Sequence, residues 1–168
     1  VMSGDNSTET VVRKSVMNAK TSEKLVCEKF VETKEDAEGR LESIKFKNTD
    51  KFNFGFDIVD GIAEKHPDKL AMLHLDKNKV ERRFTFKDIK DATNQVANYF
   101  TSLGIKRGDK VMLVLKRHYQ FWFCMLALHK IGAIAIPATN QLVEHDFAYR
   151  YKAAKVRAIV CTADGDVS

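Results

Sequence analysis

The chain has 168 residues with 28 Lys and Arg against 23 Asp and Glu, a formal net charge of +5, and 44% hydrophobic residues. That is enough for one domain with a real core, and with two prolines in the whole chain it excludes a long Pro-rich or disordered protein. The basic excess is spread out, with its densest part around Lys106–His118 broken by an apolar run, so it forms no basic stripe with interleaved aromatics and no nucleic-acid partner is expected.

In chain order, residues 1–24 are polar and without period, which predicts a disordered tail. Residues 25–51 form a helical or irregular extension: Leu25, Val26, Phe30 and Val31, then Leu41, Ile44 and Phe46, are spaced as in one or two short helices. From Asp57 the pattern sharpens. Ile58, Val59, Ile62 and Ala63 share a helical face that His66-Pro67 closes. "LAMLHL" (70–75) and "RRFTF" (82–86) read as two strands of a small hairpin around "DKNK". Thr85 then caps a helix in a capping box with Asp88, and Ile89, Ala92, Val96, Phe100 and Leu103 line its apolar face until Gly104 stops it. A strand at 110–115, a very apolar helix at 119–131 ended by Gly132, a strand at 133–138, a helix from Val143 to Lys155 and a strand at 157–161 complete the order. Short apolar strands alternating with helices predict an α/β fold, mainly a parallel sheet with helices on both faces.

The motifs that would carry chemistry are mostly absent. No GxGxxG follows a strand and no GxxxxGK[ST] occurs, so neither phosphate cradle is present. No GxSxG elbow exists. The five histidines do not pair at ligand spacing with other His, Cys or carboxylates, so no metal site is expected. Cys27, Cys124 and Cys161 are odd in number and far apart, which suits neither zinc nor a disulfide framework and points to a reducing cytoplasm. Cys161, at the end of a strand, reads as a small buried residue, and His129 as a hydrogen-bonded core or boundary histidine. "VMSGDNSTET" lacks the apolar centre of a signal peptide, and the longest apolar run, Phe121–Leu128, is too short to span a bilayer. The helix at 119–131 is apolar around most of its circumference, a pattern expected of a helix buried in a larger body, so self-association through exposed core surface is expected of this chain alone.

Three stretches carry a family resemblance. "FTFKDI" (84–89) is similar to the first core motif of the AMP-forming acyl-CoA synthetases. "SLGIKRGDKVMLVLKRHYQFWFCMLALHKIGAIAIPAT" (102–139) resembles the turn, strand and helix that lead into the second core motif, and "RAIVCTADGDV" (157–167) resembles the strand and acidic turn that follow. With "FNFGFDIVD" (52–60), which is similar to short- and medium-chain members in particular, residues 52–168 resemble the N-terminal α/β subdomain of this adenylate-forming superfamily.

The resemblance implies an acid-thiol ligase that uses ATP, Mg2+ and CoA. A carboxylic acid attacks the α-phosphate of ATP to give an acyl-adenylate, and the CoA thiol then displaces AMP. The family's phosphate loop, magnesium glutamate, ribose aspartate and C-terminal lysine have no counterpart in the sequence. The chain is therefore expected to be an N-terminal fragment, inactive alone, with no cofactor bound and with the remainder of its own polypeptide as partner. The resemblance assigns no catalytic residue here; it turns the loop Thr139, Asn140 and Gln141 toward the pantetheine tunnel or acyl pocket, although the same loop also reads as a plain strand-to-helix connection. The competing reading is a free-standing α/β binding or scaffolding module without catalysis.

Overall fold

The computed structural model describes residues 26–163. The tail expected over 1–24 and the acidic turn at Asp164–Asp166 lie outside the described residues. The described chain divides into two compact units that part between Lys47 and Asn48.

The first unit corrects the helical reading of 25–51. After a short 3-10 turn (Val26–Lys29), the chain forms two antiparallel strands, β1 (Val31–Glu35) and β2 (Leu41–Phe46). The turn between them explains why. Asp36 Oδ1 accepts the backbone N–H groups of Glu38 at 3.0 Å and Arg40 at 2.8 Å, a local closure that competes with any helix. The register pairs Val31 with Phe46 and Thr33 with Ile44, while Glu32 faces Lys45. One side of the ribbon is therefore largely apolar, and the period is 2, not 3.6. The adjacent pair Phe30–Val31 and the step from Leu41 to Ile44 imitate helical spacing over so short a stretch.

The second unit opens with a π-helical segment (Phe54–Asp60) that runs into α1 (Gly61–Lys65). It begins three residues before the expected Asp57 because Asn53 caps it: Asn53 Oδ1 accepts Gly55 N–H at 3.0 Å and Phe56 N–H at 3.3 Å. The expected hairpin follows as β3 (Leu70–Leu75) and β4 (Glu81–Thr85). Next come α2 (Phe86–Ser102), β5 (Lys110–Val114), α3 (Gln120–Ile131), β6 (Ile134–Pro137), α4 (Glu144–Ala154) and β7 (Ala158–Cys161). The capping box at the start of α2 is formed as expected, with Asp88 N–H donating to Thr85 Oγ1 at 3.1 Å and Thr85 N–H to Asp88 Oδ2 at 2.9 Å. Gly132 ends α3 at φ 71°, a left-handed value that favours glycine.

The parallel sheet has the order β6-β5-β7, with β5 in the middle. Its alternate residues divide the interior. Val111, Leu113 and Leu115 pack with Ala97 and Phe100 of α2 and with Cys124, Ala127 and Leu128 of α3. Met112 and Val114 face the other way, against Val156 and the Phe147 and Ala154 of α4. Helices thus cover both faces, as the alternating pattern predicts. A smaller core joins Val59, Ile89 and Leu126 with the hairpin residues Met72 and Phe84.

The apolar α3 is largely enclosed by this chain itself. Cys124, Leu126, Ala127, Leu128 and Lys130 are buried, and among its large apolar residues only Trp122 is exposed. The π-helical segment comes so close that a Cβ on Gly55 would sit 2.8 Å from Lys130 Cγ and 3.3 Å from the Leu126 carbonyl oxygen.

Candidate functional site

β5 and β6 are neighbours, yet the chain leaves their C-terminal ends toward opposite faces, to α3 from β5 and to α4 from β6. Diverging loops open a crevice outside the strand ends, the usual ligand position in an open α/β sheet. A cavity of about 950 Å³ lies there. Its walls are the turn Lys116–Phe121 after β5, the loop residues Ala138, Thr139 and Asn140 after β6, and the tip of the β3–β4 hairpin. Of the three loop residues expected to meet a ligand, Thr139 and Asn140 line this cavity. Gln141 does not; its backbone N–H turns back to Thr139 Oγ1 at 3.2 Å.

The hairpin contribution was not expected from the sequence. His74 on β3 donates from Nε2 to the Arg117 carbonyl oxygen at 3.2 Å, which leaves Nδ1 buried at the cavity without a hydrogen-bond partner. Its ring stands edge-on to Tyr119, with centroids 5.2 Å apart, and Tyr119 also meets Phe84 and Phe123. The Arg82 guanidinium lies 5.8 Å from the centre of the Tyr119 ring and 3.7 Å from Asp76. One wall is therefore aromatic, and the rim carries Lys77, Arg82, Lys116 and Arg117.

The carboxylate of Asp76 is occupied structurally. Its Oδ1 accepts the N–H groups of Asn78 at 2.8 Å and Val80 at 2.9 Å, and these backbone hydrogen bonds, Val80's foremost, hold its carboxyl below the ordinary carboxylate value. A cationic rim over an aromatic wall suits a ligand that combines an anionic group with a flat or apolar part. Among the described residues no three His, Cys, Asp or Glu converge to hold a metal ion.

The other groups singled out in the sequence lie elsewhere. Cys161 is exposed at the end of β7, correcting the expectation of a buried residue: the alternation of an edge strand turns it outward. Cys124 is buried, and desolvation pushes its thiol upward in pKa. His129 is half-buried at the end of α3, edge-on to Phe54, and its Nδ1 has no hydrogen-bond partner, so only the boundary placement agrees with the sequence reading. No helix among the described residues is long and apolar enough to cross a membrane.

The chain is similar to known proteins in sequence and in fold. A crotonobetaine/carnitine–CoA ligase of Salmonella paratyphi A is 35% identical over 104 residues, which is 62% of this chain and 20% of that protein. The human acyl-coenzyme A synthetase ACSM3, named as mitochondrial, is 28% identical over 129 residues, 73% of this chain and 22% of that protein. The chain thus spans about a fifth of the length of the curated relatives it matches. In structure, it is similar to the N-terminal subdomain of Klebsiella oxytoca NpsA in complex with anthranilyl-AMSN, with a TM-score of 0.59 and 26% identity over 67% of this chain and 28% of that one. Residues 59–168, from the end of the π-helical segment through the crevice to the last strand, match the family described as AMP-binding enzyme, and to that family the chain belongs.

Proposed function

We propose that this chain is the N-terminal α/β part of an ATP-dependent, AMP-forming acyl-CoA synthetase acting on short- or medium-chain carboxylic acids in the cytoplasm. The observation that carries the reading is the crevice at the β5–β6 strand ends, in a chain whose relatives are named as a CoA ligase and an acyl-coenzyme A synthetase. In the whole enzyme, ATP with Mg2+ activates the acid as an acyl-adenylate and CoA releases AMP. The part played here is binding. Thr139 and Asn140 offer a hydroxyl and an amide to a polar ligand, and Arg82 and Arg117 offer positive charge to an anionic one. The phosphate-loop chemistry lies in chain beyond this sequence, so residues 1–168 alone are inactive.

The test is acyl-dependent ATP–pyrophosphate exchange and acyl-CoA formation, measured on the longer polypeptide that contains this chain and on the 168-residue chain. The longer protein should catalyse both steps with a short- or medium-chain acid, and the 168-residue chain neither. Failure of the longer protein with every acid of that class would overturn the assignment, and exchange by the short chain would overturn its inactivity. Thr139→Val with Asn140→Ala should raise KM for the acid or for CoA about tenfold, the loss of one or two hydrogen bonds to a bound ligand, at near-normal thermal stability.

A further inference from the structure

We propose that the opposite edge of the parallel sheet, where the strands begin, is a docking surface for a bilayer containing anionic phospholipid. This surface is separate from the crevice, since none of its residues lines the cavities at the strand C-termini.

Parallel topology gathers the N-termini of the strands and the C-termini of the helices on one edge. Five cations stand there: Lys106 and Arg107 in the turn entering β5, Lys110 at its start, and Lys155 and Arg157 in the turn entering β7. Backbone hydrogen bonds fasten these turns together, with Arg157 N–H donating to Lys110 O at 2.7 Å and Gly108 N–H to Gly132 O at 2.9 Å. A Cβ placed on Gly104 would lie 3.9 Å from Arg157 Nη2, and one on Gly132 would lie 3.4 Å from Arg107 Nη1. The two guanidiniums therefore sit at the C-terminal ends of α2 and α3, and Lys155 closes α4.

Helix ends explain part of this charge but not all of it. A helix C-terminus carries roughly half a negative charge, so three of them together with Asp109 offset about half of the five cations. Asp109 is itself engaged, its Oδ2 accepting Lys106 N–H at 2.9 Å. Among the described residues none of the five cations forms an ion pair with a carboxylate.

Apolar residues on the same edge select the partner. Leu103 is 57% exposed and Tyr99, one turn before it on α2, is 60% exposed; Ile134, paired with Lys110 at the start of β6, is 46% exposed. A nucleic-acid backbone would use the cations and gain nothing from Leu103 or Ile134. A bilayer uses both, with headgroup phosphates meeting the cations and the interface taking the aliphatic side chains and the amphipathic tyrosine ring. Docked this way, the protein turns its crevice away from the membrane plane.

The test is co-sedimentation of the 168-residue protein with phosphatidylcholine vesicles and with vesicles of phosphatidylcholine mixed with phosphatidylglycerol, at low and high salt. Binding is expected on the mixed vesicles, reversed by salt, and weak on phosphatidylcholine alone. Lys106→Gln, Lys110→Gln and Lys155→Gln should each weaken it about fivefold. Leu103→Ser should weaken it without changing the salt dependence. All four positions are at the surface or its border, and an unaltered thermal melt confirms that each variant is folded. Absence of binding to the mixed vesicles, or binding insensitive to the three neutralisations, overturns the proposal. Salt-sensitive retention of duplex DNA without retention by vesicles would make the patch a nucleic-acid surface and overturns it equally.

Discussion

The ammonium of Lys130, on a side chain only 1% exposed, lies 2.8 Å from Asp60 Oδ1 and 2.7 Å from Asn94 Oδ1, with the Phe56 ring centre 5.4 Å away. One side chain of α3 thus ties together the π-helical segment and α2. A buried pair adds little net stability over a well-packed apolar pair, but breaking it strands a charge. Lys130→Met should therefore destabilise the protein by about 3–5 kcal/mol, while Lys130→Met combined with Asp60→Leu should recover most of that loss. Urea denaturation of the full double-mutant cycle measures this, and additive losses would show the two groups uncoupled. Its neighbour His129 behaves oppositely. Desolvation pushes the imidazole below its ordinary value of 6.5, so the unfolded chain takes up the proton more readily than the folded one. The associated stability is complete above that ordinary value and is lost as the pH falls from it toward the lowered folded value. The denaturation midpoint should drop between neutral and mildly acidic pH, and His129→Phe should flatten that part of the profile.

Among the elements, α2 is the one whose start rests most visibly on local chemistry. Thr85→Ala removes the acceptor for Asp88 N–H and should cost about 1 kcal/mol, read as a lower melting temperature, whereas Thr85→Ser should cost little. Elements of this kind are written in the sequence because each carries its own signals, such as Thr85 with Asp88 for α2 and Gly132 for the end of α3. From Thr85 onward the strands and helices follow the apolar pattern closely for that reason. Before the β3–β4 hairpin, apolar spacing is a poorer guide. The β1–β2 ribbon depends on an aspartate turn whose effect outweighs a misleading run of apolar spacings. The Lys130 contacts reach residues 70 and 36 positions away, and a lysine inside an apolar run gives no hint of either partner.

In the whole molecule the two ends of the parallel sheet carry different chemistry, an aromatic and cationic crevice at one end and a basic, partly apolar edge at the other. The first was half visible beforehand. The family resemblance points to Thr139, Asn140 and Gln141, of which the first two line the cavity, but His74 and Arg82 enter it from a hairpin that only the fold brings there. No periodicity along β3 or β4 distinguishes a residue facing a cavity from one facing solvent. The same dependence on distant chain governs Asn53. Its Oδ1 starts the π-helical segment, while its Nδ2 donates to the His129 carbonyl oxygen at 2.8 Å, a contact across 76 residues. Synthesis runs from the N-terminus, so this turn leaves the ribosome well before the helix end that steadies it exists. What is made early here becomes fixed late, and until α3 is complete Val59, which packs with Leu126, remains open to any other apolar surface it meets.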